Sequence, residues 1–290
     1  MLLEDVKKEF VFHCQCRKLS EKTIINYSHE IGYLMDFLAE EYQIADIEEV
    51  KPEHIKKFLV KVQRAGRTVN YINDLADYAK ISTIRRRISA ISENYNAAGF
   101  SEQNPCRVWI VRETMIGLTR TKGAMQKGKT PIYWEELEQM ISYIDTDSLS
   151  GIRDKAILLL GFLGAFRRSE LSGLDFEDIT RYPQGIIVTL KHSKTDQEQV
   201  GQQVGIPYLK NPDMCAIVAL NKWIQEAQIT SGPLFRRILK NGRLSSHRLS
   251  DKSINLLVKK YIELIGLPVE LYGAHSFKTR FLQLMQHFTV

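Results

Sequence analysis

Residues 151–179 read GIRDKAILLLGFLGAFRRSELSGLDFEDI. Leu158–Leu163 is the most hydrophobic patch in the chain. It is far shorter than the roughly 20 apolar residues that cross a bilayer, so Ala156–Leu163 reads as a helix buried inside a domain. After Gly164 a short helix begins around Arg168-Ser169-Glu170-Leu171. A surface pair of arginines is usually just solvated. Here Arg167 emerges where the buried helix ends, and Glu170, three residues on, is spaced to reach back and hold its guanidinium.

The pattern changes on the carboxyl side of this stretch. Gly185–Leu190 reads as a strand and Gln203–Pro207 as its partner, across the polar loop Ser193–Gly201, which predicts a β-hairpin set among helices. Lys194 lies at its tip, where lysine is also common for solubility. Cys215–Ala227 and Ser253–Leu264 return to helical spacing, as does a segment from about Trp134. Near the end stands His275-Ser276-Phe277-Lys278. A helical i, i+3 spacing would turn both cations to one side, toward a phosphate, although a lone histidine is more often a core or surface residue.

On the amino side the first hundred residues read as helices. Ile24, Tyr27, Ile31, Leu34, Met35 and Leu38 share a helical face behind Ser20, and Pro52 opens another ahead of Ile55, Phe58, Leu59 and Val62. Ile81, Ile84, Ile88 and Ile91 form a third stripe beside Arg85, Arg86 and Arg87, and this helix is expected to end at Ala98-Gly99 with a left-handed glycine. Residues 107–131 are basic, carry Gly117, Gly123 and Gly128, and close with Pro131, which reads as an exposed linker. The expected organisation is a mostly α chain of two domains: a four- or five-helix unit over 1–106, the linker over 107–131, and a mainly helical unit with a small antiparallel sheet over 132–290.

Hydrophobic residues at 44% and charged residues at 26% of 290 are ordinary for globular proteins and exclude collagen-like or largely disordered chains. The start MLLEDVKKEF carries acids where a secretion signal needs a basic, then apolar, stretch, so a cytoplasmic protein with no membrane partner is expected. Cys14, Cys16, Cys106 and Cys215 make no disulfide framework, and Cys14-x-Cys16 beside His13 has neither zinc nor redox spacing; buried or half-buried thiols are expected. The formal net charge is +6, but the cations are clustered. Residues 107–129 hold six basic residues against Glu113, and residues 236–260 hold eight against Asp251. Such clusters suit a polyanion whose counterions are released on binding.

Four segments in this order resemble the tyrosine recombinase (phage integrase) family over nearly the whole chain. Residues 151–179 are similar to its first catalytic-arginine block, SKTDQEQVGQQVGIP (193–207) to its lysine hairpin, GPLFRRILKNGRLSSHRLSD (232–251) to the approach to its His-x-x-Arg block, and STIRRRISAISENYNAAGFSEQNPC (82–106) to its SAM-like core-binding domain. The resemblance implies that Arg167 clamps the scissile phosphate, Glu170 orients the site, Lys194 protonates the leaving 5′-oxygen and His275 assists proton transfer. Fixed cations suit a transition state that concentrates negative charge on phosphoryl oxygens, and no cofactor or metal is called for.

It also implies that duplex DNA is held by a two-domain clamp, with Arg85, Arg86, Arg87, Arg120, Lys122, Lys127, Lys129, Lys240 and Arg243 on the phosphates. Two departures stand out. Lys278 occupies the place of the second arginine, keeping charge but losing the planar fork, with Arg280 as a weaker substitute. No tyrosine follows Tyr272, so the family nucleophile is missing from these residues. A truncated or frameshifted member is therefore expected, monomeric in solution, which binds DNA without cutting it. The alternatives are a DNA-binding regulator or competitor at recombination sites, and a helical protein–protein module whose basic clusters are incidental.

Overall fold

The computed structural model describes residues 1–64, 80–122, 128–191 and 201–277. The chain divides into two compact units, Met1–Gln126 and Lys127–Val290.

The first unit holds α1 (Leu3–Cys16), α2 (Glu21–Tyr42), α3 (Pro52–Arg64), α4 (Ile81–Ala97) and α5 (Trp109–Lys122). Helix α2 starts where the Ser20 hydroxyl accepts the Thr23 backbone N–H at 3.2 Å, and Pro52 sits at the first position of α3, where its missing N–H costs nothing. Leu3, Val6, Phe10 and Cys14 recur at helical spacing on α1 and are buried, as are Ile31, Leu34, Phe37 and Leu38 on α2. Helix α4 buries Ile81, Ile84 and Ile91 and is followed by Gly99 at φ +85°, the left-handed residue expected there.

The stretch 107–131 departs from its reading as an exposed linker. Residues 109–122 form α5, and Val111 and Leu118 are buried in the core of the first unit with Ile55, Phe58 and Ile84. Arg112, Arg120 and Gly117 lie on the outer side of that helix, so average composition hid a sparse but sufficient apolar stripe.

The second unit is built around α7 (Leu149–Leu163), whose apolar run Ala156–Leu163 is buried on every side, as a sequence with no polar face requires. Around it lie α6 (Trp134–Ser142), α8 (Arg168–Gly173), α9 (Ala216–Glu226) and α10 (Asp251–Leu264). The expected hairpin is present as β2 (Gly185–Leu190) and β3 (Gln202–Pro207), with Val188 opposite Val204. It gains a third antiparallel strand that the sequence concealed, β1 (Ile179–Tyr182), which has only Ile179 buried. Gly185 is required here: a Cβ would stand 2.3 Å from the Ile206 carbonyl oxygen. The basic segment 236–248, for which no strand was expected, contains a separate ribbon, β4 (Arg236–Ile238) with β5 (Leu244–Arg248). Among the described residues no helix is long and apolar enough to cross a membrane.

Cys14, Cys106 and Cys215 are buried, and burial raises the Cys14 thiol and pushes Cys106 up to about 12. Cys16 is exposed, against the expectation of a buried or half-buried thiol. Since the thiolate is the reactive form, Ellman's reagent is expected to titrate one thiol rapidly in the native chain and all four in denaturant. A second fast native thiol would contradict this burial.

Candidate functional site

The buried helix α7 ends at Gly164, and the chain reverses through Ala165 at φ +47°, with the Phe166 N–H donating to the Gly161 carbonyl at 3.0 Å. The Phe166 ring is 1% exposed and takes the space a side chain at 164 would need, since a Cβ there would meet it at 2.2 Å. This tight reversal delivers Arg167 to the start of α8. The Glu170 side chain, 5% exposed, accepts the Arg167 backbone N–H at 2.8 Å with one oxygen and pairs with its guanidinium through the other. Charge-assisted bonds to a buried carboxylate fix the arginine while its side chain remains 21% exposed. The neighbouring Arg168 turns away, its Nε 3.4 Å from Asp251 of α10. The i, i+3 tether anticipated from sequence is therefore present.

Two further segments meet the same short helix. The turn Ala274–Phe277 carries His275, and Phe277, fully buried, lies with Leu171 against Gly161: a Cβ at 161 would stand 2.9 Å from both side chains. The turn is pinned by the Ala274 N–H donating to Asn255 at 3.1 Å and by the Ile132 N–H donating to the Ser276 carbonyl at 3.0 Å. The backbone at His275 thus sits by the end of α7 from which Arg167 emerges. The His275 side chain, Lys278 and Arg280 lie outside the described residues.

At the other end of α8, Lys191 ties the base of the hairpin loop, with Nζ 2.7 Å from Asp178 and 3.4 Å from Asp175. Asp175 also holds Arg248 at 2.6 Å, and Arg248 donates to the Ser172 and Leu174 carbonyls. Burial works to raise the Asp175 carboxyl, yet bonds and charge from Arg248 and Lys191 hold it below the ordinary aspartate value. The bond to Asp178 raises the Lys191 ammonium above its usual value. Lys194, three residues beyond Lys191, lies outside the described residues. Helix α8 spans about 9 Å at 1.5 Å per residue, and the carboxylates that hold Lys191 follow it within five residues, at Asp175 and Asp178.

Tyr272, the last tyrosine of the sequence, is 5% exposed and donates its hydroxyl to Glu136 at 3.0 Å. Burial and that bond raise its hydroxyl above the usual tyrosine value. Tyr261 is 2% exposed and donates to Asp154, so neither phenol is presented to a phosphate. Among the described residues no group of three or more His, Cys, Asp or Glu could hold a metal ion.

The cations expected on DNA separate into outward and inward sets. Arg85, Arg86, Arg120, Lys129, Lys240 and Arg243 are exposed. Arg85 reaches Thr119 of α5 at 3.4 Å, and Lys129 donates to the Glu270 carbonyl. Arg87 does not belong with them. It is 8% exposed, bonded to Glu30 and laid over the Tyr33 ring, because its position on α4 points into the helix pair rather than outward. In the second basic cluster Arg236 and Arg248 are likewise turned onto backbone carbonyls. Lys127 and the side chain of Lys122 lie outside the described residues. Sequence reasoning passed over Glu30, Asp175, Asp178 and Lys191; their only sequence signal is a charge on an otherwise inward-facing or strand-end position.

Residues 9–98 match the family described as Phage integrase, N-terminal SAM-like domain. An integrase/recombinase xerD homolog of Selenomonas ruminantium is 50% identical over 214 residues, 73% of this chain, and the chain spans 63% of that relative's length. The tyrosine recombinase XerC of Thermodesulfovibrio yellowstonii is 27% identical over 256 residues, 88% of this chain and 75% of its own. Among solved structures, the Tn1549 transposon integrase in complex with transposon right-end DNA aligns over 100% of this chain and 88% of its own at TM-score 0.63 and 17% identity. The XerH site-specific recombinase bound to a palindromic difH substrate aligns over 98% and 72% at TM-score 0.60 and 17% identity. At that identity the structural likeness speaks to fold.

Proposed function

The chain belongs to the tyrosine recombinase family of phage integrases, and on that premise we propose that it is a site-specific recombination protein of the cytoplasm that grips duplex DNA with both units. One observation carries the reading: the Arg167 guanidinium, tethered by buried Glu170, stands at the end of α7 that also receives the turn bearing His275. In this role Arg167 holds the phosphoryl oxygens, and a planar fork fixed in advance matches them better than a mobile charge. Lys194 and Lys278, by charge and by their place in the family-like segments, would add positive charge at the scissile phosphate, with Lys194 as proton donor to the leaving 5′-oxygen. The integrase and recombinase structures solved on DNA support duplex DNA as the ligand. Arg85, Arg86, Arg120, Lys122, Lys127, Lys129, Lys240 and Arg243 would contact the backbone and position the protein without reading sequence.

Strand cleavage needs a nucleophile, and a second reading within the same family is a regulator or competitor that occupies sites without chemistry; the two differ in whether a covalent link to DNA forms. A gel-shift titration across salt and a nicked suicide duplex test both readings. A polypeptide of residues 1–290 is expected to bind duplex with affinity falling by roughly a thousandfold between low and moderate salt, as six or more phosphate contacts require, and to form no covalent adduct. A flat salt profile would leave a protein–protein module standing. A trapped covalent adduct would restore catalysis.

A further inference from the structure

We propose that Glu30 is a positioning residue that presents Arg86 to the DNA backbone. The inference rests on duplex DNA being the ligand, and it assigns to the inside of the amino-terminal unit a part in binding. Glu30 lies on α2 and is 4% exposed. One of its oxygens accepts from the Arg86 NH2 nitrogen at 2.7 Å, and the other accepts from Nε of Arg87. The two arginines differ in their exposure. Arg87, whose side chain is 10% exposed, is enclosed and serves as the counter-charge that makes a buried carboxylate tolerable. Arg86, whose side chain is 50% exposed, gives Glu30 one edge of its guanidinium and turns the rest toward solvent.

The paired carboxylate therefore does for Arg86 what Glu170 does for Arg167. It freezes a long side chain with the donor fork facing outward, so little rotamer freedom remains to be lost when a phosphate arrives. Arg85, exposed beside it and reaching Thr119, extends the same outward edge of α4. A lysine at 86 could not do both tasks, because a single ammonium on a shorter reach cannot bond the carboxylate and a phosphate on opposite edges.

The test uses the full chain, a duplex in gel shift over a salt series, and thermal unfolding in parallel. Arg86→Ala is expected to weaken binding about fivefold and to lower the salt slope by about one, the signature of one lost phosphate contact. Glu30→Gln makes the unit more positive by one charge, so bulk electrostatics alone predicts tighter binding. Positioning predicts about the same fivefold loss as Arg86→Ala, and little further loss in the double variant. Unchanged or tighter binding by folded Glu30→Gln overturns the proposal. Should Glu30→Gln fail to fold, Arg86→Lys decides: affinity near that of Arg86→Ala supports positioning, and parental affinity overturns it. A parent chain that retains no duplex at all overturns the DNA reading itself, an outcome distinct from a binding parent whose Glu30 variant is unaffected.

Discussion

Replacing Glu170 with alanine is expected to destabilise the second unit by about 3–4 kcal/mol, the range for breaking a largely buried ion pair by removing one partner. The carboxylate is 5% exposed and serves two donors at once, the Arg167 backbone N–H and its guanidinium. Removing it strands both at a reversal already held by a left-handed Ala165. For a domain of this size the loss corresponds to about 6–15 °C in unfolding temperature. Glu170→Gln keeps the volume and an acceptor for the backbone N–H, so about half the loss should return. Chemical denaturation followed by circular dichroism checks both, and Glu170→Ala within about 0.5 kcal/mol of the parent would show that the tether does not hold the site together. On the proposed function, duplex affinity should fall more in Glu170→Ala than the fraction unfolded explains, because a freed Arg167 would have to be ordered anew on a phosphate.

Trp223→Ala should be more damaging still. Trp223 on α9 is fully buried in the core of the second unit, and its indole N–H donates to the Leu234 carbonyl at 2.8 Å. Truncating a buried aromatic costs about 3–5 kcal/mol, and the orphaned carbonyl adds about 1–3 kcal/mol. Together these approach the whole stability of a typical domain. Hydrogen exchange on the intact chain should show protection lost through α6–α10 while α1–α4, which rest on a separate core, stay protected. Trp223→Phe keeps most of the volume and loses the donor, so it should retain the fold at a cost of about 1–3 kcal/mol. Native-like protection in Trp223→Ala would mean that the second core closes over the cavity.

Much of the helical architecture could be read directly, and the reasons are local. A helix whose buried face recurs every three or four residues, as in α2, α4 and α10, writes its orientation into the chain. The same holds for the continuous apolar run of α7, which leaves no solvated face to occupy. Helix α5 was obscured because its buried stripe rests on Val111 and Leu118, set in a basic, glycine-containing stretch. Strand β1 was obscured because one buried residue in four carries no alternation.

The candidate site divides in the same way. That Arg167 and Glu170 pair was legible, since three residues along a helical turn bring two side chains together whatever the rest of the chain does. The meeting of the 274–277 turn with the end of α7 was not, because it depends on Phe277 filling the space that Gly161 leaves open more than a hundred positions earlier. The sense of the three consecutive arginines was also hidden. Arg85, Arg86 and Arg87 carry identical chemistry, and only the packing of α2 against α4 turns the last inward onto Glu30 and leaves the first two facing out. Residue order alone therefore determined most of the helices, the hairpin and the presence of clustered charge, because these arise from near-neighbour spacing. Tertiary packing decided which charges are enclosed and which face solvent, because burial is set by distant segments closing on one another.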